Sequence, residues 1–187
     1  QNEIIINKDI DNYYLEMSEK NPPDEGYWGH WPFHFPEFVP DEKLVKAAAK
    51  ESDAAVVIIG RAAGEDRENK LEKGSYYLTD DEISLLDTVT SSFVKTIVVL
   101  DCGNIIDMKK IASYGDKISA ILYAFQGGME SGNALCDVLT GKVNPCAKLT
   151  DTIAYDYEDY PSADSFGNKE FNNYTEDIFV GYRYFET

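Results

Sequence analysis

The chain has 187 residues, 43% of them hydrophobic, and a formal charge of −17 at neutral pH. That length suits about one domain with a real core. The excess of 34 acidic over 17 basic residues argues against nucleic acid and anionic membrane surfaces as partners, and no window approaches the roughly 18 apolar residues of a membrane span.

The start, Gln1-Asn2-Glu3-Ile4, lacks an initiator Met and the basic and apolar stretches of a signal peptide, which predicts removal of an upstream segment or leader. Residues 1–40 are rich in Asn, Asp, Pro and aromatics and read as a leader that packs on the core or on a partner domain, with one short helix near 11–20. From Asp41 the pattern turns regular, and residues 41–187 read as one α/β domain with an extended tail at 154–187. Pro40 and Asp41 open a helix whose apolar positions are Leu44, Val45, Ala48 and Ala49. The run 54–59 reads as a strand buried on both faces. Thr79 and Glu82 form a capping box before a helix with Ile83, Leu86 and Val89 on its apolar stripe. Residues 96–100 and 120–124 are predicted strands, and 106–114 and 131–140 predicted helices, the last turning Ala134, Leu135, Val138 and Leu139 inward. Residues 148–154 are expected to add an edge strand, 155–173 a loop, and 179–185 an extended strand. Helices alternating with apolar β-runs imply a three-layer, flavodoxin-like α/β sandwich with a mainly parallel sheet and helices on both faces.

The strand at 54–59 runs into Gly60-Arg61-Ala62-Ala63-Gly64-Glu65-Asp66-Arg67-Glu68-Asn69, a glycine-bracketed charged loop. Open α/β sheets bind ligands at the carboxyl ends of their strands, so the loop is either a working site or solvated decoration in which Glu65 pairs with Arg61 or Arg67. Gly127-Gly128-Met129-Glu130 follows the third strand and belongs to the same sheet edge; Glu130 there is expected to cap the next helix. Trp28-Gly29-His30-Trp31-Pro32-Phe33-His34-Phe35 is dense in flat rings that either wall a binding site or cover an interface. His30 and His34 are the only histidines and nothing completes a metal set around them. Gly60 and Gly64 do not make a dinucleotide fingerprint, so no cofactor is expected. Cys102, Cys136 and Cys146 lack metal or redox spacing and read as buried free thiols, which points to a reducing, cytoplasmic compartment.

Four segments, 60–69, 127–135, 144–149 and 174–185, resemble in that order the second, α/β domain of family 3 glycoside hydrolases, over roughly residues 26–187. The resemblance implies a domain of a retaining, β-glucosidase-like hydrolase in which Glu65 is the general acid/base. Many relatives place one or two residues between this Glu and the Asp-Arg pair; here Asp66 follows directly, and Glu68 is the competing acid. Met129 stands where relatives commonly carry Gln. Retention needs two carboxyl groups about 5 Å apart, one of them a nucleophile, and the acid/base must gain and lose a proton within one cycle. In the family the nucleophile is an Asp in a Ser-Asp-Trp-like motif on a (β/α)8-type barrel, and neither that motif nor the barrel's length of about 250 residues is in this chain. The expected partners are thus a β-glucoside or β-xyloside and a barrel domain, and the 187 residues are expected to be inactive alone. Asp66 and Arg67 are assigned to sugar hydroxyls or to a pair that shapes the loop, and Trp28 and Trp31 to a subsite wall. The alternative is a non-catalytic carbohydrate-binding or interdomain scaffold module.

Overall fold

The computed structural model describes residues 4–28, 32, 34–62 and 69–186. The chain divides into two compact units, one of Gln1–Ile106 with Tyr114–Asn144 and one of Asp107–Ser113 with Pro145–Thr187.

The first unit opens with α1, Lys8–Lys20, whose exposed first amides are accepted by the side chain of Asn7. Tyr13 Oη donates to the Val39 carbonyl at 3.0 Å and Tyr14 Oη to Glu37 Oε1 at 3.2 Å, tying α1 to the segment that leads into α2. Helix α2, Glu42–Glu51, is capped by Asp41, as its sequence predicts. Strands β1, Ala55–Arg61, β2, Thr96–Cys102, and β3, Ala120–Tyr123, form a parallel sheet in the order β1-β2-β3. Helix α3, Asp80–Ser92, carries the expected capping box between Thr79 and Glu82 and packs on β1 and α2. Helix α5, Ser131–Leu139, follows β3. Parallel strands with intervening helices make this an α/β sandwich, the fold its periodicity predicts.

β2 lies between two strands and carries the core: Val98, Val99, Leu100 and Cys102 are buried, with Val57 and Ile59 of β1 and Leu85, Leu86 and Val89 of α3. The edge strand β1 departs from expectation. Val57, Ile59 and Arg61 point inward, whereas Val56 and Ile58 are 44% and 52% exposed. An apolar run predicts burial on both faces; α3 packs on β1, and the face that carries Val56 and Ile58 is open among the described residues. Three further corrections concern the helices. Ile83 is half-buried, and Leu85 takes its place in the core. The apolar residues of α5 reach only partial burial, with Ala134 exposed. The helix predicted at 106–114 contracts to α4, Met108–Ala112, followed by a turn of 3-10 helix at Gly115–Lys117.

The second unit contains α4, capped by the Asp107 side chain, with Ile111 and Ala154 buried. Lys109 Nζ bridges Asp156 Oδ1 at 2.5 Å and lies 4.9 Å from the centre of the Tyr155 ring. Residues 148–154 form no strand, and the expected strand at 179–185 gives way to a short helix, α6, Tyr182–Phe185, entered through Gly181 at φ +58°. Periodicity alone cannot separate a short alternating run from one helical turn; the left-handed glycine decides it here. All three cysteines are free, but only Cys102 is buried; Cys136 and Cys146 are exposed, contrary to the sequence reading. Among the described residues no helix is long and apolar enough to cross a membrane.

Candidate active site

In parallel pairing Gly60 stands opposite Asp101, Arg61 opposite Cys102, and Leu100 opposite Tyr123. The three strands therefore end at one edge, and the segments after them, beginning at Ala62, Gly103 and Ala124, all leave from it. This is the edge the sequence reading assigns to the site, and the paired glycines Gly127 and Gly128 follow β3 from it. Glu65, Asp66, Arg67, Glu68 and Trp31 lie outside the described residues. Trp28 is 88% exposed. Glu130 stands at the N-cap position just before α5, but its side chain makes no capping bond; its Oε2 instead accepts from Asn133 Nδ2 at 2.6 Å.

What the structure adds is the framework on either side of the charged segment. Arg61, the last residue of β1, is 6% exposed, and Glu82, in the first turn of α3, is 5% exposed. Their side chains form a forked pair, Nη1 to Oε1 at 2.5 Å and Nη2 to Oε2 at 2.7 Å. Arg61 Nε also donates to the Ser75 carbonyl at 3.2 Å, Nη1 to the Gly60 carbonyl at 2.8 Å and Nη2 to the Tyr77 carbonyl at 3.4 Å. All five guanidinium N–H groups thus have acceptors, the condition for burying this charge. Glu82 Oε2 in addition accepts the Thr79 amide at 2.8 Å, so one carboxylate closes the helix cap and neutralises the arginine.

After the charged segment the chain turns back through residues 69–78. Asn69 Nδ2 donates to the Ile105 carbonyl at 2.7 Å, and the Lys70 amide to Ser75 Oγ at 2.9 Å. Ser75, Tyr76 and Leu78 are buried. Gly74 sits at φ +82° with the His34 ring where a Cβ would lie, so this turn admits only glycine. The sequence reading gave Glu82 a cap and Arg61 only an alternative role, with Arg67, as the surface ion-pair partner of Glu65. The signal it missed is strand parity: Arg61 shares the phase of Val57 and Ile59, which places its side chain on the inner face.

Burial governs the titration of two neighbouring groups. The Cys102 thiol, whose Sγ donates to the Ile59 carbonyl at 3.4 Å, is pushed up to about 12, chiefly by burial. The Glu37 carboxyl is raised first by burial, against the opposing bonds from the Phe38 amide and Tyr14. Among the described residues no group of three or more His, Cys, Asp or Glu side chains is arranged to hold a metal ion.

Residues 8–182 match the family model of the glycosyl hydrolase family 3 C-terminal domain. A β-glucosidase from Ruminococcus albus is 46% identical over 183 residues, which are 97% of this chain and 19% of that protein. The crystal structure of a β-glucosidase from Paenibacillus barengoltzii superposes with a TM-score of 0.92 at 43% identity, over 97% of this chain and 20% of that one. β-Glucosidase 3B from Thermotoga neapolitana, in complex with glucose, superposes with a TM-score of 0.77 at 35% identity, over 96% of this chain and 26% of that one. The chain therefore spans about a fifth of the length of the first two relatives.

Proposed function

Since this chain belongs to glycosyl hydrolase family 3, as a domain of the family's C-terminal type, we propose that it is the α/β domain of a retaining β-glucosidase and supplies the general acid/base, Glu65. The observation that carries the reading is 46% identity with a β-glucosidase along nearly the whole chain. The geometry favours it too: β1 ends at Arg61 on the carboxyl edge of a parallel sheet, the edge at which open α/β folds bind ligands, and Glu65 follows four residues later in the sequence. Glu65 protonates the glycosidic oxygen as the bond to the leaving group breaks, then as carboxylate takes a proton from the water that releases the sugar. The nucleophilic Asp belongs to a barrel domain outside these residues. Asp66, Arg67, Trp28 and Trp31 contact the sugar, a terminal β-glucoside or β-xyloside.

The test is a chimera in which this chain replaces the matching segment of the Ruminococcus albus β-glucosidase. The isolated chain is expected to leave aryl β-glucosides and aryl β-xylosides intact, while the chimera turns at least one of them over. Glu65→Ala should lower kcat/KM on a substrate with a poor leaving group by about 100- to 10,000-fold, with azide restoring part of kcat on an activated one. An active chimera indifferent to Glu65→Ala would instead make the domain a scaffold or subsite wall, or move the role to Glu68 if Glu68→Ala has the effect.

A further inference from the structure

Both flanks of the segment 62–68 are held by side chains to which the chemistry above gives no task. On the entering side the Arg61 guanidinium is saturated by Gly60, Ser75, Tyr77 and Glu82. On the leaving side Asn69 is bound to the Ile105 carbonyl, just beyond β2, and Lys70 to Ser75 Oγ. Ser75 joins the two flanks, since its carbonyl accepts from Arg61 and its hydroxyl from Lys70. A buried ion pair adds little net stability over apolar residues of equal volume. What this one supplies is geometry: a planar fork at one end of the segment and an amide clamp at the other.

We propose that Arg61, Glu82 and Asn69 are positioning residues for the general acid, anchoring the two flanks, at Arg61 and Asn69, between which it lies in the sequence. The proposal rests on the acid/base reading of Glu65, and one set of assays separates the two. Protonation by the enzyme matters most for a leaving group that departs poorly, such as the glucose of cellobiose, and little for dinitrophenolate, which departs as a stable anion. The measurement is kcat/KM on cellobiose and on dinitrophenyl β-glucoside, in the chimera described above, with circular dichroism as a check on folding.

Asn69→Ala is expected to lower kcat/KM on cellobiose by about 100-fold, the loss typical of a misplacement of about 1 Å, and far less on the dinitrophenyl substrate. Arg61→Met combined with Glu82→Leu, which removes both charges together, should show the same selectivity, and Arg61→Lys, which keeps the charge without the fork, an intermediate loss. Equal losses on both substrates, or none on either, would overturn the proposal. If the double variant does not fold, Asn69→Ala decides alone. Glu65→Ala in the same assays tests the underlying reading: should it lack the selective loss while Asn69→Ala shows it, Glu65 is not the acid and the clamp serves another acid of the segment.

Discussion

Arg61 and Glu82 illustrate how one charge changes meaning with its position on an element. Beside Gly60 and near Glu65 in sequence, Arg61 reads as part of a charged loop; in the structure it is the last residue of β1, and its guanidinium makes five hydrogen bonds. Glu82 was legible as a capping residue because its partner Thr79 is three positions away. Its second partner is 21 positions away and was not. Glu37 shows the same dependence on surroundings. Burial raises its carboxyl, so the folded state holds the proton more tightly than the unfolded chain. The group therefore favours folding below its unfolded value, and that contribution is lost as pH rises through the folded value. Glu37→Gln, which still accepts from Tyr14, is expected to raise the melting temperature more at neutral pH than in acid below the ordinary carboxyl range. Equal melting shifts at both pH values would contradict this assignment.

Among the elements, strands and well-capped helices were the most legible. Their β-branched runs and the Thr79–Glu82 box are local signals, and the helix and strand centres fall where the sequence puts them. Faces and short segments were less so. Val56 and Ile58 are as apolar as Val57 and Ile59, and only the packing of the folded chain shows which pair is buried. Ile59→Ala should cost about 2–5 kcal/mol of stability, the range for a buried aliphatic truncation, whereas Ile58→Ala should cost about 1 kcal/mol or less, since half of its side chain is already wet. Urea unfolding of the two variants checks this, and comparable losses would mean that the outer face of β1 is covered. The missing strand at 148–154 and the helical turn at Tyr182–Phe185 have another cause: four to seven residues carry too little periodicity to choose a state, so pairing and backbone angles choose it.

Across the whole molecule, charge dominates. A net charge of −17 on 187 residues repels itself in the folded state. Raising the ionic strength from about 0.01 M to about 0.15 M shortens the screening length from about 30 Å to about 8 Å, and is expected to raise the melting temperature of the chain; a fall would show that attractive ion pairs outweigh the repulsion. The surface pairs Lys20–Glu16, Lys46–Glu42 and Lys73–Asp80 are well exposed and offset little of it. The chain covers about a fifth of the length of the β-glucosidases it matches.

The sequence by itself determined the alternation of helices and parallel strands, the caps and the glycine-bracketed loop, because those depend on neighbours within a few residues of one another. Its motifs also carried the family resemblance that the matches over residues 8–182 bear out. Only the tertiary structure decided which face of β1 is buried, which cysteine is sealed in the core, and that Arg61, Ser75, Tyr77, Glu82 and Asn69 clamp the flanks of the loop. Those outcomes rest on contacts between groups up to 43 positions apart in the chain, such as Cys102 with Ile59. Such contacts exist only once the strands have taken their order, and no local pattern encodes them.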